Sequence, residues 1–316
     1  MPGTLWKGKW ITWALWGLLT APVAGPAQRE QNPQQPKFNV QVNLVSLDVE
    51  VLDSSGNPVL GLTQKDFSIK EGGKPVDISY FAWQSERPVS LAIVLDTSAI
   101  STEKLTKCKR FIVELAHRLA RTDEICLFTF DTRDAYLEQD FTPSRLHIVE
   151  ALENIGVPSG KSGGVLKELF GKQPLTGLAI DLALNKVRAA QKGKKALLLI
   201  SNRFRGLGPA TVEHIRESDC TLSTLEFSNK AARWATLGGD QISKNQLMQE
   251  SGGRNFSADT EDVEGVCRKI VFSLKNHYVL GYLTEIGAAE KKPRRVEVRV
   301  PGKNYIIHFR RSYQVQ

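Results

Sequence analysis

The sequence is poor in the residues that define several protein classes. It has only 4 cysteines among 316 residues, too few for a disulfide-dense scaffold. Its 5 histidines are scattered and form neither an HExxH motif nor a paired metal-ligand spacing. The Gly-x-Ser-x-Gly elbow of many serine hydrolases is also absent. These gaps count against a disulfide-rich peptide, a zinc enzyme of the HExxH type and a hydrolase built on that elbow.

What remains is ordinary globular composition, with 41% hydrophobic and 24% charged residues. The formal net charge of +8 raises the question of an anionic partner. The basic clusters at residues 192–195 and 291–295 lie in turn-like text without interleaved aromatic residues. Solvated loops are favoured over a nucleic-acid groove. We therefore expect no nucleic-acid partner.

Residues 1–27 have the layout of a secretory signal peptide. Two lysines precede an apolar run over residues 10–21, and small residues lead up to Ala27. The apolar run is short for a membrane span, which needs about 20 residues. We predict cleavage after Ala27, a disordered lead-in over residues 28–36, and a secreted or periplasmic mature chain without a membrane span. An uncleaved anchor is the alternative.

The two ends of the mature chain share one sequence pattern. Residues 37–87 and 277–316 alternate apolar and polar side chains between turn signals, which predicts short antiparallel strands. The apolar residues shift from even to odd positions between Leu44 and Val45, which predicts a bulge or two strands. Residues 294–309 predict a β-hairpin. Because a small sheet cannot bury a face alone, we expect the two end segments to pack together as a small β-sandwich.

Residues 88–276 differ from both ends. Four apolar runs without strict alternation are typical of strands buried on both faces, at residues 91–95, 125–130, 196–200 and 221–227. Apolar residues at spacings of three and four lie between these runs and predict helices. Alternating strands and helices predict an α/β domain with a doubly wound, mostly parallel, Rossmann-type sheet. A long Gly- and Lys-rich loop is expected over residues 156–173.

Asp96 ends the first of these apolar runs and is followed by Thr97 and Ser98. Ligands of open α/β sheets bind outside the carboxyl ends of the strands. An acid there, with hydroxyls behind it, can hold a hard cation through oxygen atoms. The plainer interpretation is that Asp96 caps a helix beginning near Ser101 or Thr102. On position alone, the capping role is favoured.

Residues 91–98 (LAIVLDTS) resemble the first strand and the opening of the Asp-x-Ser-x-Ser metal-site motif of von Willebrand factor type A domains. Further segments resemble, in order, a bacterial branch of that family, the von Willebrand A-related proteins of the acidobacterial type: residues 49–74, Phe130-Asp131, Phe141-Thr142, residues 278–282 and residues 310–313. The likeness covers most of residues 40–313. It implies a von Willebrand A-like α/β domain whose bound metal completes its shell with a carboxylate from a protein partner.

Three residues match the metal site of the family. Asp96 stands at the position of the motif acid, Ser98 at that of the first motif serine, and Thr176 at that of a threonine from a later loop. The resemblance therefore implies a metal site built from Asp96, Ser98 and Thr176.

Two other positions depart from the family pattern. Ile100 stands where the second motif serine belongs, and Asn202-Arg203 stands where the family has an acidic Asp-Gly. The first change removes an oxygen donor; the second removes a carboxylate and adds a cation. We expect a degenerate site that binds Mg²⁺ weakly or not at all, with Asp96 neutralised by Arg203 or by water. No other cofactor is expected.

The function expected from this combination is an exported protein-binding module of the adhesion or scaffold type, with an unknown extracytoplasmic protein as ligand. Two alternatives stay open. A non-binding structural scaffold of an envelope complex is favoured by the loss of metal ligands. An enzyme using the degenerate cation site is disfavoured by the single acid and the lack of a placed base, so we expect no catalytic residues. The four cysteines have no CxxC spacing and are predicted to be buried thiols, although an oxidising compartment permits a disulfide.

Overall fold

The computed structural model describes residues 41–98, 100–156, 175–191, 193–201, 207–227, 244–258, 263–286 and 293–313. The predicted signal peptide, the lead-in, most of the long loop, Asn202 and Arg203 lie outside the described residues. The helices and strands, in chain order, are β1 (Gln41–Leu52), a short 3-10 helix (Gln64–Asp66), β2 (Ser68–Glu71), β3 (Lys74–Val76), β4 (Ile78–Gln84), β5 (Val89–Asp96), α1 (Thr102–Arg118), β6 (Glu124–Phe130), β7 (Ala135–Thr142), α2 (Arg145–Asn154), α3 (Leu175–Ala189), β8 (Lys194–Ile200), α4 (Pro209–Glu217), β9 (Thr221–Glu226), α5 (Lys244–Ser251), β10 (Asn255–Ser257), α6 (Val263–Lys275), β11 (His277–Ile286), β12 (Arg294–Arg299), β13 (Ile306–His308) and β14 (Ser312–Tyr313).

The central sheet has six strands in the order β10-β9-β8-β5-β6-β7. Strands β5, β6, β8, β9 and β10 pair in parallel, and β7 adds an antiparallel edge to β6. The four apolar runs of the sequence coincide with β5, β6, β8 and β9. The prediction of a mixed α/β fold around a mostly parallel sheet is confirmed.

Helices cover both faces of this sheet, as its burial requires. Leu91, Ile93 and Leu95 of β5 pack into a core cluster with residues of α1, α2 and α6. Ala92 and Val94 point to the opposite face, into a second cluster with α3, α4 and α5. Each fully buried large aliphatic side chain contributes about 1.5–3 kcal/mol. Burial on both sides explains why these strands lack an alternating pattern.

The two end segments form two further sheets of four strands each, ordered β13-β1-β11-β4 and β14-β12-β2-β3. Both contain strands from before and after the central domain. A third core cluster gathers side chains from both sheets, among them Val49, Ile69, Tyr278 and Val298. The Tyr278 hydroxyl donates to the carbonyl of Val59 at 3.0 Å and accepts from the backbone N–H of Leu62 at 3.1 Å.

Two local strand predictions are wrong. β1 is one strand that pairs with β11 in unbroken register from Gln41 to Val49, so there is neither a bulge nor a division near Leu44. Leu44 is 60% exposed, which accounts for the change of parity. The predicted hairpin over residues 294–309 does not form, because β12 pairs with β2 and β14 whereas β13 pairs with β1. The turn near residue 302 connects β12 in one sheet to β13 in the other. The residues of a turn do not determine which sheet the next strand joins.

The four cysteines are unbridged and buried in this structure. Burial raises the pKa of the Cys108, Cys220 and Cys267 thiols to about 12 and raises that of Cys126 as well. They are packing residues and not activated nucleophiles. Within the described ranges, none of the helices is long and apolar enough to span a bilayer.

Candidate functional site

Asp96 is the last residue of β5, in the middle of the six-stranded sheet. It lies in parallel register with Phe130, the last residue of β6, and is 8% exposed. The next residue, Thr97, donates to the Phe130 carbonyl from both its backbone N–H, at 2.8 Å, and its hydroxyl, at 2.9 Å. The chain leaving β5 is thereby held against β6. The carboxylate is positioned at the carboxyl edge of the sheet.

Among the described residues, three hydrogen bonds engage the Asp96 carboxylate. Oδ1 accepts from the Ser98 backbone N–H at 2.9 Å and from the Ser98 hydroxyl at 2.6 Å. Oδ2 accepts from the Ser201 hydroxyl at 2.6 Å. Such short hydrogen bonds to an ionised acceptor are about twice as strong as neutral ones. Both carboxylate oxygens are thus satisfied by neutral donors.

Ser201 was not predicted as a site residue. It directly follows β8, and β8 is the parallel neighbour of β5. Neighbouring parallel strands end at the same edge, so the first residue after β8 lies beside Asp96. A polar residue directly after the third apolar run was the available signal. The strand order needed to use that signal is not local.

The capping role for Asp96 is wrong. α1 begins at Thr102, and its N-cap is Ser101, whose side chain accepts from the Lys104 backbone N–H at 3.3 Å. Asp96 lies five residues before this cap and uses Oδ1 for an Asx-type turn with Ser98 instead. The Asp96 carboxylate therefore lies at the edge of the sheet and does not cap α1.

The third predicted ligand, Thr176, is the second residue of α3 and is 7% exposed. It belongs to the first turn of a helix and not to a loop. Among the described residues, no hydrogen bond connects Thr176 to Asp96 or Ser98. Ile100 is half-buried and packs against the core cluster of α1. The structure thus joins Asp96 and Ser98 directly and turns the Ile100 side chain to the core.

This donor set is poor for a tight magnesium site. Mg²⁺ requires near-octahedral oxygen ligands. The predicted positions supply one carboxylate, already bound by two serine hydroxyls, and the hydroxyls of Ser98 and Thr176. Within the described ranges, no group of three or more His, Cys, Asp or Glu side chains is arranged to hold a metal ion. By themselves, Asp96, Ser98 and Thr176 do not complete an octahedral shell of oxygen ligands.

An exposed cation stands on the same edge. Asp131 follows β6 and accepts from the backbone N–H groups of Arg133 at 2.7 Å and Asp134 at 3.0 Å. Burial raises the pKa of Asp131, but these hydrogen bonds outweigh it and lower the pKa below its ordinary value. The Arg133 guanidinium binds Asp131 at 3.0 Å and remains 79% exposed. The β6–β7 turn therefore presents a guanidinium next to the strand that ends beside Asp96.

The sequence matches no protein-family model and no curated protein. Solved structures with a similar fold include an aerotolerance-related membrane protein from Bacteroides fragilis, with 18% identity over 59% of this chain and 98% of that chain and a TM-score of 0.43. The SpRpn10 VWA domain has 8% identity over 57% and 93%, with a TM-score of 0.37. The ArnB paralog VWA2 from Sulfolobus acidocaldarius has 12% identity over 85% and 74%, with a TM-score of 0.39. Similarity at this distance carries no argument about the site.

Proposed function

We propose that this chain is an exported, von Willebrand A-like protein-binding module of the adhesion or scaffold type, with a degenerate metal-ion-dependent adhesion site at Asp96, Ser98 and Thr176. The observation that carries the proposal is the Asp96 carboxylate at the carboxyl end of β5, bound by the hydroxyls of Ser98 and Ser201. This is the edge at which open α/β sheets bind ligands. The protein's own donors occupy the acid that a metal would need.

A partner carboxylate still needs a positive group if no metal supplies one. Arg133 offers five N–H donors in a planar fork that matches a carboxylate. Its pairing with Asp131 uses Nε and one terminal nitrogen, and the guanidinium is held in the turn at 79% exposure. We propose that Arg133 takes the place of the metal as the cation that meets an acidic side chain of an extracytoplasmic protein. Binding is then independent of divalent ions.

The division of the mature chain belongs to the same proposal. Residues 88–276 form the binding domain, and residues 37–87 and 277–316 pack as one β-sandwich beneath it. Support comes from the third core cluster, which contains side chains from both end segments.

A capture experiment tests the binding role. The mature chain is immobilised, exposed to extract of the cell envelope, and compared with Arg133→Ala and Arg299→Ala. Arg299 is a matched control, because it pairs with Glu297 two residues away and is 70% exposed, but lies on β12. We expect Arg133→Ala to weaken the affinity for the captured protein about tenfold, equal to about 1.4 kcal/mol. Arg299→Ala and added EDTA should leave the affinity unchanged.

Two results would contradict the proposal. Equal capture by the Arg133→Ala and Arg299→Ala proteins would show that binding does not use the carboxyl edge. Loss of capture in EDTA would show that a metal ion is required after all.

Export has its own test. Sequencing the N-terminus of protein recovered from the cell envelope should give a chain that starts at Gln28, because small residues precede the predicted cleavage point. A chain that begins at Met1 in the soluble cytoplasmic fraction would remove the extracytoplasmic part of the proposal.

A further inference from the structure

A charged cavity lies at the opposite, amino-terminal edge of the central sheet. Its volume is about 150 Å³, and its walls come from the middle of β1, the residues before β5, the starts of β8 and β9, and the residues around β11 and β13. A water molecule needs only about 10–15 Å³ of such space, so the cavity admits a polyatomic ion. It shares no residue with the site around Asp96.

Lys194 is buried in this cavity, and its ion pair with Asp48 is long. Its side chain is 6% exposed, and the nearest carboxylate oxygen, Oδ2 of Asp48, lies 3.7 Å from Nζ. Nη1 of Arg87 lies 3.9 Å from the other oxygen of the same carboxylate. Lys194 and Arg87 thus share one carboxylate. Burial lowers the pKa of Lys194, although Asp48 and Glu50 oppose that shift. A buried ion is costly unless it is paired and hydrogen-bonded.

The second acid in the wall does not restore the balance. Glu50 is 7% exposed, accepts from Arg254 at 2.9 Å, and accepts from the Ser273 hydroxyl at 3.1 Å. Its charge is taken by Arg254. A third acid in the lining, Asp219, is 76% exposed and lies 4.0 Å from Nη1 of Arg310. Inside the wall, Asp48 therefore remains the acid shared by Lys194 and Arg87.

Two further side chains have donors without acceptors. His277 is 1% exposed, yet neither ring nitrogen has a hydrogen-bond partner; Nε2 lies 3.4 Å from Asp48 Oδ1 without hydrogen-bond alignment. Nε of Arg310 is also buried without a partner, although Nη2 donates to the Ile215 and Arg216 carbonyls. Buried polar atoms in native proteins nearly always have partners. Both ring nitrogens of His277 and Nε of Arg310 therefore line this cavity without a hydrogen-bond partner among the described residues.

We propose that this cavity is a binding site for a small tetrahedral oxyanion, either free phosphate or sulfate or the phosphate group of a monoester. Lys194 Nζ, Arg310 Nε and one ring N–H of His277 donate to its oxygens, and Arg87 stands at the mouth, with its side chain 41% exposed. The anion supplies acceptors to these unpartnered nitrogens and a second negative charge beside Lys194 and Arg87. The inference is independent of the function proposed for the carboxyl edge.

Calorimetric titration of the full mature chain tests this site. The probes are inorganic phosphate, sulfate and glycerol 3-phosphate at constant ionic strength, with sodium chloride as the blank. The three probes separate a site for a free ion from one for a monoester. We expect a saturable site for at least one of them. Lys194→Met should weaken its affinity at least tenfold, because it keeps the aliphatic stem and removes the charge.

Replacing Asp48, an acid in the cavity wall, should change the affinity for the anion in the opposite direction. Asp48→Asn removes the carboxylate that competes for the same donors, so we expect affinity to rise about fivefold. Lys107→Met is the matched control, since Lys107 lies on α1 at 56% exposure and should change nothing. His277→Gln serves if Lys194→Met does not fold, and should weaken the affinity severalfold. Opposite shifts separate a binding role from a structural one, because a general loss of structure lowers affinity in every variant.

Two outcomes overturn the proposal. One is the absence of saturable heat with all three anions. The other is a saturable heat whose affinity is the same in the Lys194→Met, His277→Gln, Asp48→Asn and unaltered proteins.

Discussion

The two edges of the central sheet handle charge in opposite ways. At the carboxyl edge, one carboxylate, Asp96, accepts three hydrogen bonds of 2.6–2.9 Å from short serine donors. At the amino edge, the Asp48 carboxylate lies 3.4–3.9 Å from the nearest nitrogens of His277, Lys194 and Arg87. The first arrangement is complete within the protein. In the second, both ring nitrogens of His277 and Nε of Arg310 have no hydrogen-bond partner among the residues that the structure describes.

The contrast has a physical origin. Serine hydroxyls are neutral, short and able to rotate, so they satisfy a buried carboxylate without adding charge. Lysine and arginine bring a positive charge as well as donors, so the acceptors around them must match them in charge as well as in position. A resemblance to metal-binding domains directs attention to the carboxyl edge. The unbalanced electrostatics of the structure lie at the amino edge.

The largest effect is expected from removing one wall of the amino-edge cavity. A chain that ends at Asn276 lacks β11, which lies between β1 and β4. It also loses the buried Tyr278, Leu280 and Tyr282, each worth about 1.5–3 kcal/mol, against a total stability of about 5–15 kcal/mol. We expect residues 37–87 to lose their structure while the Asp96 edge is kept. Urea unfolding followed through tryptophan fluorescence measures this, with Trp234 replaced by Phe in both chains so that Trp83 is the reporter.

The comparison chain is the full mature protein under the same conditions. Should the chain over residues 37–276 unfold at the same urea concentration, the two end segments would be independent, and the β-sandwich would be refuted.

The next effect concerns Glu50, a buried and closely paired acid in the wall of the amino-edge cavity. Glu50→Ala leaves the Arg254 guanidinium, whose side chain is 15% exposed, without its carboxylate. Breaking a buried ion pair by removing one partner costs about 3–5 kcal/mol. The free energy of unfolding from urea titration gives the value. Glu297→Ala, which breaks an exposed pair with Arg299, should cost less than about 1 kcal/mol. Equal losses in the two variants would contradict a special role for burial at this edge.

The amino edge should also make stability depend on pH. Burial, followed by the nearby Lys194, lowers the pKa of His277 to about 4 in the folded protein, against about 6.5 unfolded. The unfolded chain therefore binds more protons between these values. The contribution of His277 to the free energy of unfolding is fully present above pH 6.5. It is lost as pH falls toward 4, by up to about 3 kcal/mol.

Measuring urea midpoints from pH 7 to pH 4 tests this dependence. His277→Gln should flatten the slope, whereas substituting the exposed His117 in the same way should not. Burial also lowers the pKa of His308 to about 4, so part of the slope should persist in the His277 variant. An unchanged slope in His277→Gln would show that this histidine does not titrate as described.

Features that depend on residues close together in the sequence could be predicted. Strands β5, β6, β8 and β9 were predictable because burial on both faces leaves an unbroken apolar run. The position of Asp96 at a strand end followed from the same run. The placement of the Asn276 break between helix and strand followed from the return of alternation at His277.

Pairings between distant segments were not predictable. Ser201 meets Asp96 only because β8 lies next to β5, and the failed hairpin over residues 294–309 depends on which sheet each strand joins. The amino-edge cavity brings together Asp48, Lys194 and His277, which are far apart in the sequence and share no motif. Charge imbalance of that kind becomes visible only when side chains from separate strands are placed in space.

The smallest effect is expected at the carboxyl edge, from magnesium. With one carboxylate already bound by hydroxyls, we expect Mg²⁺ to bind with an affinity poorer than about 1 mM, a binding free energy weaker than about −4 kcal/mol. Adding 1 mM Mg²⁺ should then stabilise the folded state by at most about 0.4 kcal/mol, since a ligand at its dissociation constant contributes RT ln 2. Thermal unfolding with and without Mg²⁺, and calorimetric titration with Mg²⁺ and Mn²⁺, measure this. A saturable micromolar site that Asp96→Ala abolishes would contradict this prediction. It would show that the carboxyl edge is a metal-binding site.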